Sequence, residues 1–178
     1  MSLRIIGGRF GGRTIATPDS SGTHPMGDRI RGSLFNILGD LSDYRVLDAF
    51  AGSGSLGLEA LSRGAASSVF VEKGRVAQRV IAENITVLGV QSRAKLIKAT
   101  VAGWDETCSG EMFDLIFADP PYHDMQLSTV FRLKNHLNSK GLMVLSYPGR
   151  ESAPTVNGVV VVDKRSYGDA ALAFYRLE

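Results

Sequence analysis

Asp119, Pro120, Pro121 and Tyr122 follow directly on the apolar run FDLIFA. Two adjacent prolines remove two backbone donors and fix two φ angles, so the aspartate before them and the tyrosine after them are displayed in a stiff geometry. One reading is a plain proline turn that ends a strand. The other is a rigid shelf for a flat, polar substrate. An amino group on a nucleobase is a weak nucleophile, because its lone pair is delocalised into the ring. A carboxylate at Asp119 accepting one N–H, with a backbone carbonyl accepting the other, favours the pyramidal nitrogen that attacks a methyl carbon. Tyr122 offers a ring on which an unpaired base can stack. Alignment of amine and methyl group then lowers most of the barrier, and no metal is needed.

A second stretch, DAFAGSGSLGLEALSRG, starts at Asp48 and places Gly52, Gly54 and Gly57 in a G-x-G-x-x-G pattern. Glycines there allow a tight bend and close approach of a ligand to the peptide groups, and the helix that follows offers free N–H donors. Glu72 ends the next apolar run, 24 residues after Asp48, where an acid can accept from two ribose hydroxyls. The pattern alone admits a dinucleotide, whose pyrophosphate would sit on the helix N-terminus. Asp48 argues against that by like-charge repulsion and suits the cationic sulfonium of S-adenosylmethionine. Ala49 and Ser53, inside the same loop, and Asp119 are counted with the expected cofactor contacts.

These residues need a frame to hold them. RVLDAF (45–50), SVFVE (68–72), AKLIKA (94–99), FDLIFAD (113–119) and GLMVLSYP (141–148) read as strands, most of them continuously apolar. Helices are expected over 54–63, over 74–88 with Val76, Val80, Ile81, Ile85 and Leu88 as its apolar stripe, and over 125–138. Such alternation gives a parallel α/β sheet covered on both faces, with Asp48, Gly52, Glu72 and Asp119 all at its carboxyl edge. The tail, GVVVVDKRSYGDAALAFYRL, reads as two strands around a turn, which adds antiparallel strands. Ahead of the repeat lie a hairpin or arm within residues 1–24, a loop at DSSGTHP, and a leading helix from Asp28 with Ile30, Leu34, Ile37 and Leu38 as its stripe and Gly39 as its stop. Residues 25–178 are expected as one Rossmann-like core.

The chain has 178 residues, of which 44% are hydrophobic and 21% charged, a composition that suits one globular domain. No apolar run approaches membrane-spanning length and no signal-peptide pattern opens the sequence, so a cytoplasmic protein is expected. The single cysteine, Cys108, excludes an intramolecular disulfide, and with scattered His24, His123 and His136 no metal centre is expected. The net charge is only +2, yet residues 1–38 carry Arg4, Arg9, Arg13, Arg29 and Arg31 against Asp19 and Asp28. Guanidinium groups without lysine suit bidentate phosphate contacts, and a solvated surface is the alternative.

In this order, RIIGGRFGGRTI, DRIRGSLFNIL, DAFAGSGSLGLEALSRGA, VFVE and ADPPY resemble the class I S-adenosylmethionine-dependent methyltransferases, and more closely the bacterial RsmD-type enzymes. The resemblance covers nearly the whole chain. It implies a seven-stranded sheet whose last strand is antiparallel, and methylation of a guanine N2 amine in small-subunit (16S) ribosomal RNA, within a subunit or an assembly intermediate. Asp48, Gly52, Gly54 and Glu72 would bind the cofactor, and Asp119, Pro120 and Tyr122 would form the amine site. Val101 or Ala102 would line an adenine pocket, although a surface loop around Trp104 and Asp105 reads equally well. Arg4, Arg9, Arg13, Arg29 and Arg31 would contact RNA. Departures from the family pattern fall at His24-Pro25-Met26, Gly11 and Gly32. Rivals are a DNA adenine-N6 methyltransferase, an NAD-binding oxidoreductase and a silent RNA-binding module. A monomer is the simplest expectation.

Overall fold

A computed structural model describes residues 1–19 and 25–178, so His24 and most of the DSSGTHP loop lie outside the described residues. The chain runs β1 (Ser2–Arg4), β2 (Thr14–Ala16), α1 (Asp28–Leu38), β3 (Arg45–Asp48), α2 (Ser55–Ser62), β4 (Ser67–Glu72) and α3 (Arg75–Leu88). It continues through β5 (Ala94–Lys98), α4 (Val101–Thr107), β6 (Phe113–Ala118), α5 (Leu127–Arg132), β7 (Leu137–Pro148), β8 (Val159–Ser166) and β9 (Ala170–Leu177). β1 and β2 form a separate antiparallel hairpin. The other seven strands make one sheet in the order β5-β4-β3-β6-β7-β9-β8, so the parallel sheet with an added tail hairpin is as expected, and its order comes from the structure. β3 to β7 pair in parallel, and β9 is antiparallel to both β7 and β8.

Successive β3 residues feed opposite layers, which is why the run is apolar throughout. Val46 packs in the layer built with α1, α2 and α3. Leu47 packs in the layer that holds Trp104 of α4 and Phe131 of α5. The strand order turns back between β3 and β6, and in open α/β sheets ligands bind beyond the carboxyl ends of the strands at such a reversal.

Several sequence expectations are corrected. The hairpin is docked, not a free arm: Ile5, Phe10 and Ile15 are buried in the first layer. It covers the outer side of α2, whose eight residues are all buried. The buried face of α1 is Arg31, Leu34 and Phe35, with Ile30 and Leu38 packed at its edge and Ile37 exposed, because Phe35 packs on Phe117 of β6 with ring centroids 5.6 Å apart. Gly39 ends the helix with a φ of 71°. Val76 lies on the solvent side of α3 at 55% exposure, and Asn84 takes a place on the buried stripe. The helix expected over 125–138 is only α5, followed by a 3-10 turn at Leu133–His136. That turn is drawn in by His136, which bonds Asp105 and the Glu111 carbonyl, and Leu137 already pairs with Phe113.

Candidate active site

The loop between β3 and α2 is held from below and from the side by two carboxylates. Asp48 is 1% exposed, and its Oδ2 accepts the Gly57 N–H at 2.9 Å. Glu72, at the end of β4, accepts the Gly52 N–H at 2.8 Å with one oxygen and the Gly74 N–H at 2.7 Å with the other. Gly52 and Gly54 have φ of 57° and 79°, where side chains are costly, so the sharp turn calls for glycine. At Gly57 the reason is packing, since a Cβ there would collide with the Phe70 ring and the Ser68 hydroxyl. Asp48 therefore lies beneath the loop as its tether. Glu72 is half-buried at the rim, and each of its oxygens keeps a lone pair for a further donor.

Burial pushes the Asp48 carboxyl up to about 8; the Gly57 amide offsets part of this, and the neighbouring charges of Asp119 and Glu72 add to it. Three carboxyl groups thus converge at the reversal of strand order. Beside them the Ser53 hydroxyl is buried without a hydrogen-bond partner among the described residues. A Cβ on Gly52 would meet no described atom within 4 Å, so the loop backbone is open at that point. Val101 and Ala102 open α4, which the Thr100 hydroxyl caps by accepting the Gly103 N–H at 3.0 Å. The stretch around Trp104 is therefore helix, not surface loop, and Trp104 anchors it against the His136 and Phe113 rings.

Asp119 directly follows β6, Pro120 is buried, and Tyr122 stands 40% exposed on the loop beyond. The Tyr122 hydroxyl lies 2.8 Å from the Ser146 hydroxyl on β7. Burial raises the Asp119 carboxyl to about 6, against the lowering effect of Ser146. The shelf expected from the diproline is therefore braced by a neighbouring strand.

Arg4, Arg9, Arg13 and Arg29 are exposed. Arg9 and Arg13 each lie 5.7 Å from the centre of the Phe10 ring, and Arg13 also donates to the Val87 carbonyl. Arg31 departs from the expected set, because it is 0% exposed and cannot reach RNA in this conformation. Its guanidinium donates to the carbonyls of Met26 and Arg4 and to Asp28, with Nε 3.8 Å from Glu59. Arg31 is thus a brace that binds α1 to β1, and it brings Arg4 and Arg29 onto adjoining elements.

Three residues with no part in the sequence expectations hold this arrangement. Glu59 of α2 accepts the N–H groups of Ile6 and Gly7 and the Arg63 Nε, all at 2.9 Å. Asn84 of α3 bonds both the N–H and the carbonyl of Ala16, and donates to the Ser53 carbonyl in the glycine loop. Ser146 braces the shelf. The usable signals were a lone carboxylate in the otherwise apolar LGLEALS and a lone carboxamide on the Ile81-Ile85-Leu88 stripe, since a polar group at a buried position needs a partner. Ser146 gave no comparable signal. Among the described residues no group of three or more potential metal ligands occurs.

A family model described as Conserved hypothetical protein 95 matches residues 3–176. The chain is similar to the ribosomal RNA small subunit methyltransferase D of Escherichia coli (strain K12), 34% identical over 158 residues, which is 86% of this chain and 79% of that protein. It is 32% identical over 181 residues to the YlbH protein of Bacillus subtilis (strain 168), covering 98% of each. Among solved structures, the yhhF protein from Escherichia coli superposes with a TM-score of 0.89 at 31% identity, covering 100% of this chain and 99% of that one.

Proposed function

This chain belongs to the family described as Conserved hypothetical protein 95, that of the RsmD-type enzymes, and on that premise we propose that it transfers a methyl group from S-adenosylmethionine to the N2 amine of a guanine in small-subunit (16S) ribosomal RNA. The observation that carries the reading is the meeting of the glycine loop and the Asp119–Tyr122 shelf at one reversal of strand order. The residues present fit the cofactor: three carboxyl groups suit a cation, the Ser53 hydroxyl lacks a partner, and open space lies over Gly52. Asp48, Ala49, Gly52, Ser53 and Gly54 would hold it from the loop, Glu72 from the end of β4, and Val101 and Ala102 from the start of α4. When bound, S-adenosylmethionine supplies an electrophilic methyl carbon on a positively charged sulfur.

The chain's own part is to orient the acceptor. Asp119 as a carboxylate takes one N–H of the amine, a backbone carbonyl at Pro120 takes the other, and the nitrogen lone pair is left directed at the methyl site. The exposed Tyr122 ring supplies the stacking face for a base that is unpaired or flipped. Arg4, Arg9, Arg13 and Arg29 lie on the hairpin and the start of α1, where they suit the phosphates of the flanking RNA. The acceptor RNA would be presented in a small subunit or an assembly intermediate, to a cytoplasmic monomer; among the described residues no helix is long and apolar enough to cross a membrane.

The test is transfer of radiolabelled methyl from S-adenosylmethionine to unmodified 30S subunits, naked 16S RNA and unmethylated DNA. Label recovered as N2-methylguanosine, and reduced roughly a hundredfold or more in Asp119→Ala, is the expected result. Label on DNA alone would transfer the reading to an adenine-N6 enzyme, and full activity in Asp119→Ala would remove Asp119 from the mechanism.

A further inference from the structure

The start of α3 carries positive charge for which the fold has no internal use. Residues 73–82 hold Lys73, Arg75 and Arg79 and no acid. All three are exposed, and no ion pair among the described residues includes them. Exposed arginines on the far parts of the surface are tied down instead. Arg45, Arg132, Arg150 and Arg165 lie 2.7 to 3.9 Å from carboxylates, and Arg176 donates to the Lys140 carbonyl. Helix stability does not call for the α3 cations either. Helix starts favour acids, yet the first turn of α3 has none and opens on Arg75. Arg75 and Arg79 stand four residues apart, where like charges repel along a helix. Nor does packing need them, since the buried positions are Ile81, Asn84, Ile85 and Leu88.

The position of these cations says what they meet. Glu72 accepts the Gly74 N–H, so Lys73 and Arg75 open α3 at the carboxyl edge of the sheet, beside the glycine loop. Strand β2 lies along the same helix, joined to it by the two Ala16 bonds to Asn84 and by the Arg13 bond to the Val87 carbonyl. The basic face of the hairpin therefore continues onto α3. We propose that Lys73, Arg75 and Arg79 form a second RNA-binding strip, which takes backbone phosphates of the acceptor as it passes from the hairpin across α3 to the carboxyl edge. This rests on the reading of the acceptor as RNA. Guanidinium groups not engaged by carboxylates are free for bidentate phosphate contacts, and the lysine adds a point charge. Glu83, the one acid in residues 73–88, lies beyond Arg79, so the strip is confined to the half of α3 next to the site.

The test is binding of unmodified, protein-free 16S RNA between about 50 and 200 mM salt, which requires no turnover. Three phosphate contacts add about −2 to the slope of log affinity against log salt, beyond about −3 from the four exposed arginines of the hairpin and α1. The triple variant Lys73→Ala, Arg75→Ala, Arg79→Ala is expected to flatten the slope by about 2. Its urea midpoint stays near that of the wild type, because exposed side chains are exchanged. Lys140→Ala removes an exposed charge from the start of β7, at the opposite edge of the sheet, and leaves the slope unchanged. A slope that the triple variant leaves in place overturns the proposal, as does a Lys140→Ala variant that flattens it equally per charge. Loss of binding to 30S subunits with protein-free RNA still bound as by the wild type would assign the strip to an acidic protein of the subunit, which also overturns it. The expected flattening in a protein that methylates none of the acceptors upholds the strip and places the failure with the methyl-transfer reading.

Discussion

Asp48 is a carboxyl group with almost no access to water and one backbone amide as its partner. That pairing is weaker than the loss of hydration, so burial raises the group from its ordinary value of 3.8 to about 8. In the unfolded chain Asp48 ionises near 3.8, whereas in the folded protein it keeps its proton to about 8. The unfolded state therefore holds fewer protons across that interval, and the Asp48 contribution to stability declines as pH rises through it. The substitution Asp48→Asn retains an acceptor for the Gly57 amide without the titration. It is accordingly expected to gain stability relative to wild type as pH rises from about 4 to about 8, and to level off above, as measured by urea unfolding of the cofactor-free protein. A difference that stays constant across the range would mean that Asp48 is charged in the folded state. Stability is thus given up at this position, at the site where a cationic ligand would restore the charge.

At the scale of elements, the unusual feature is the coupling of the N-terminal hairpin to the glycine loop. Asn84 makes three hydrogen bonds, two part-buried ones to Ala16 of β2 and a buried one to the Ser53 carbonyl. Asn84→Ala leaves those backbone groups unmet, at a cost of about 2–3 kcal/mol, and should weaken S-adenosylhomocysteine binding as the loop loosens. Hydrogen exchange at the Ala16 amide is the direct check: protection that is unchanged in the variant would show that the clamp carries no such load. The same pair of elements explains what could be read from sequence. The β3-to-β7 strands and the tail hairpin were legible because parallel strands buried on both faces are apolar throughout and their connecting helices stop at glycines such as Gly89. The glycine loop, Glu72 and Asp119 were legible because their chemistry is local. Helix α4 was not, since seven residues carry only Val101 and Trp104 as buried positions and show no period. Nor could sequence place Arg31 inside and Arg29 outside, because two of the groups around the Arg31 guanidinium, the Arg4 carbonyl and Glu59, are 27 and 28 residues away and meet it only after the fold has formed.

Over the whole molecule, charge is sorted more strongly than the net +2 suggests. Carboxyl groups converge at the reversal of strand order, while Arg4, Arg9, Arg13 and Arg29 crowd the hairpin and the adjoining end of α1. An RNA that lays its backbone along the hairpin releases counterions from each phosphate neutralised, with a slope of log affinity against log salt of about −0.7 per contact for single strands. Four contacts predict a slope of about −3 for binding to unmodified 16S RNA. Substitution of any one of the four by alanine should flatten it by about 0.7 to 1, and should leave the urea midpoint near that of the wild type. Arg31→Ala should do the reverse. It removes a fully buried cation from Glu59, Asp28 and the Arg4 carbonyl, so stability falls by about 3 kcal/mol while the salt slope of the folded fraction is unchanged. The two responses separate an arginine that meets phosphate from one that holds the surface on which phosphate is met. If Arg31→Ala flattens the slope as the exposed arginines do, the end of α1 must open when RNA binds, and the brace to β1 would describe only the free protein.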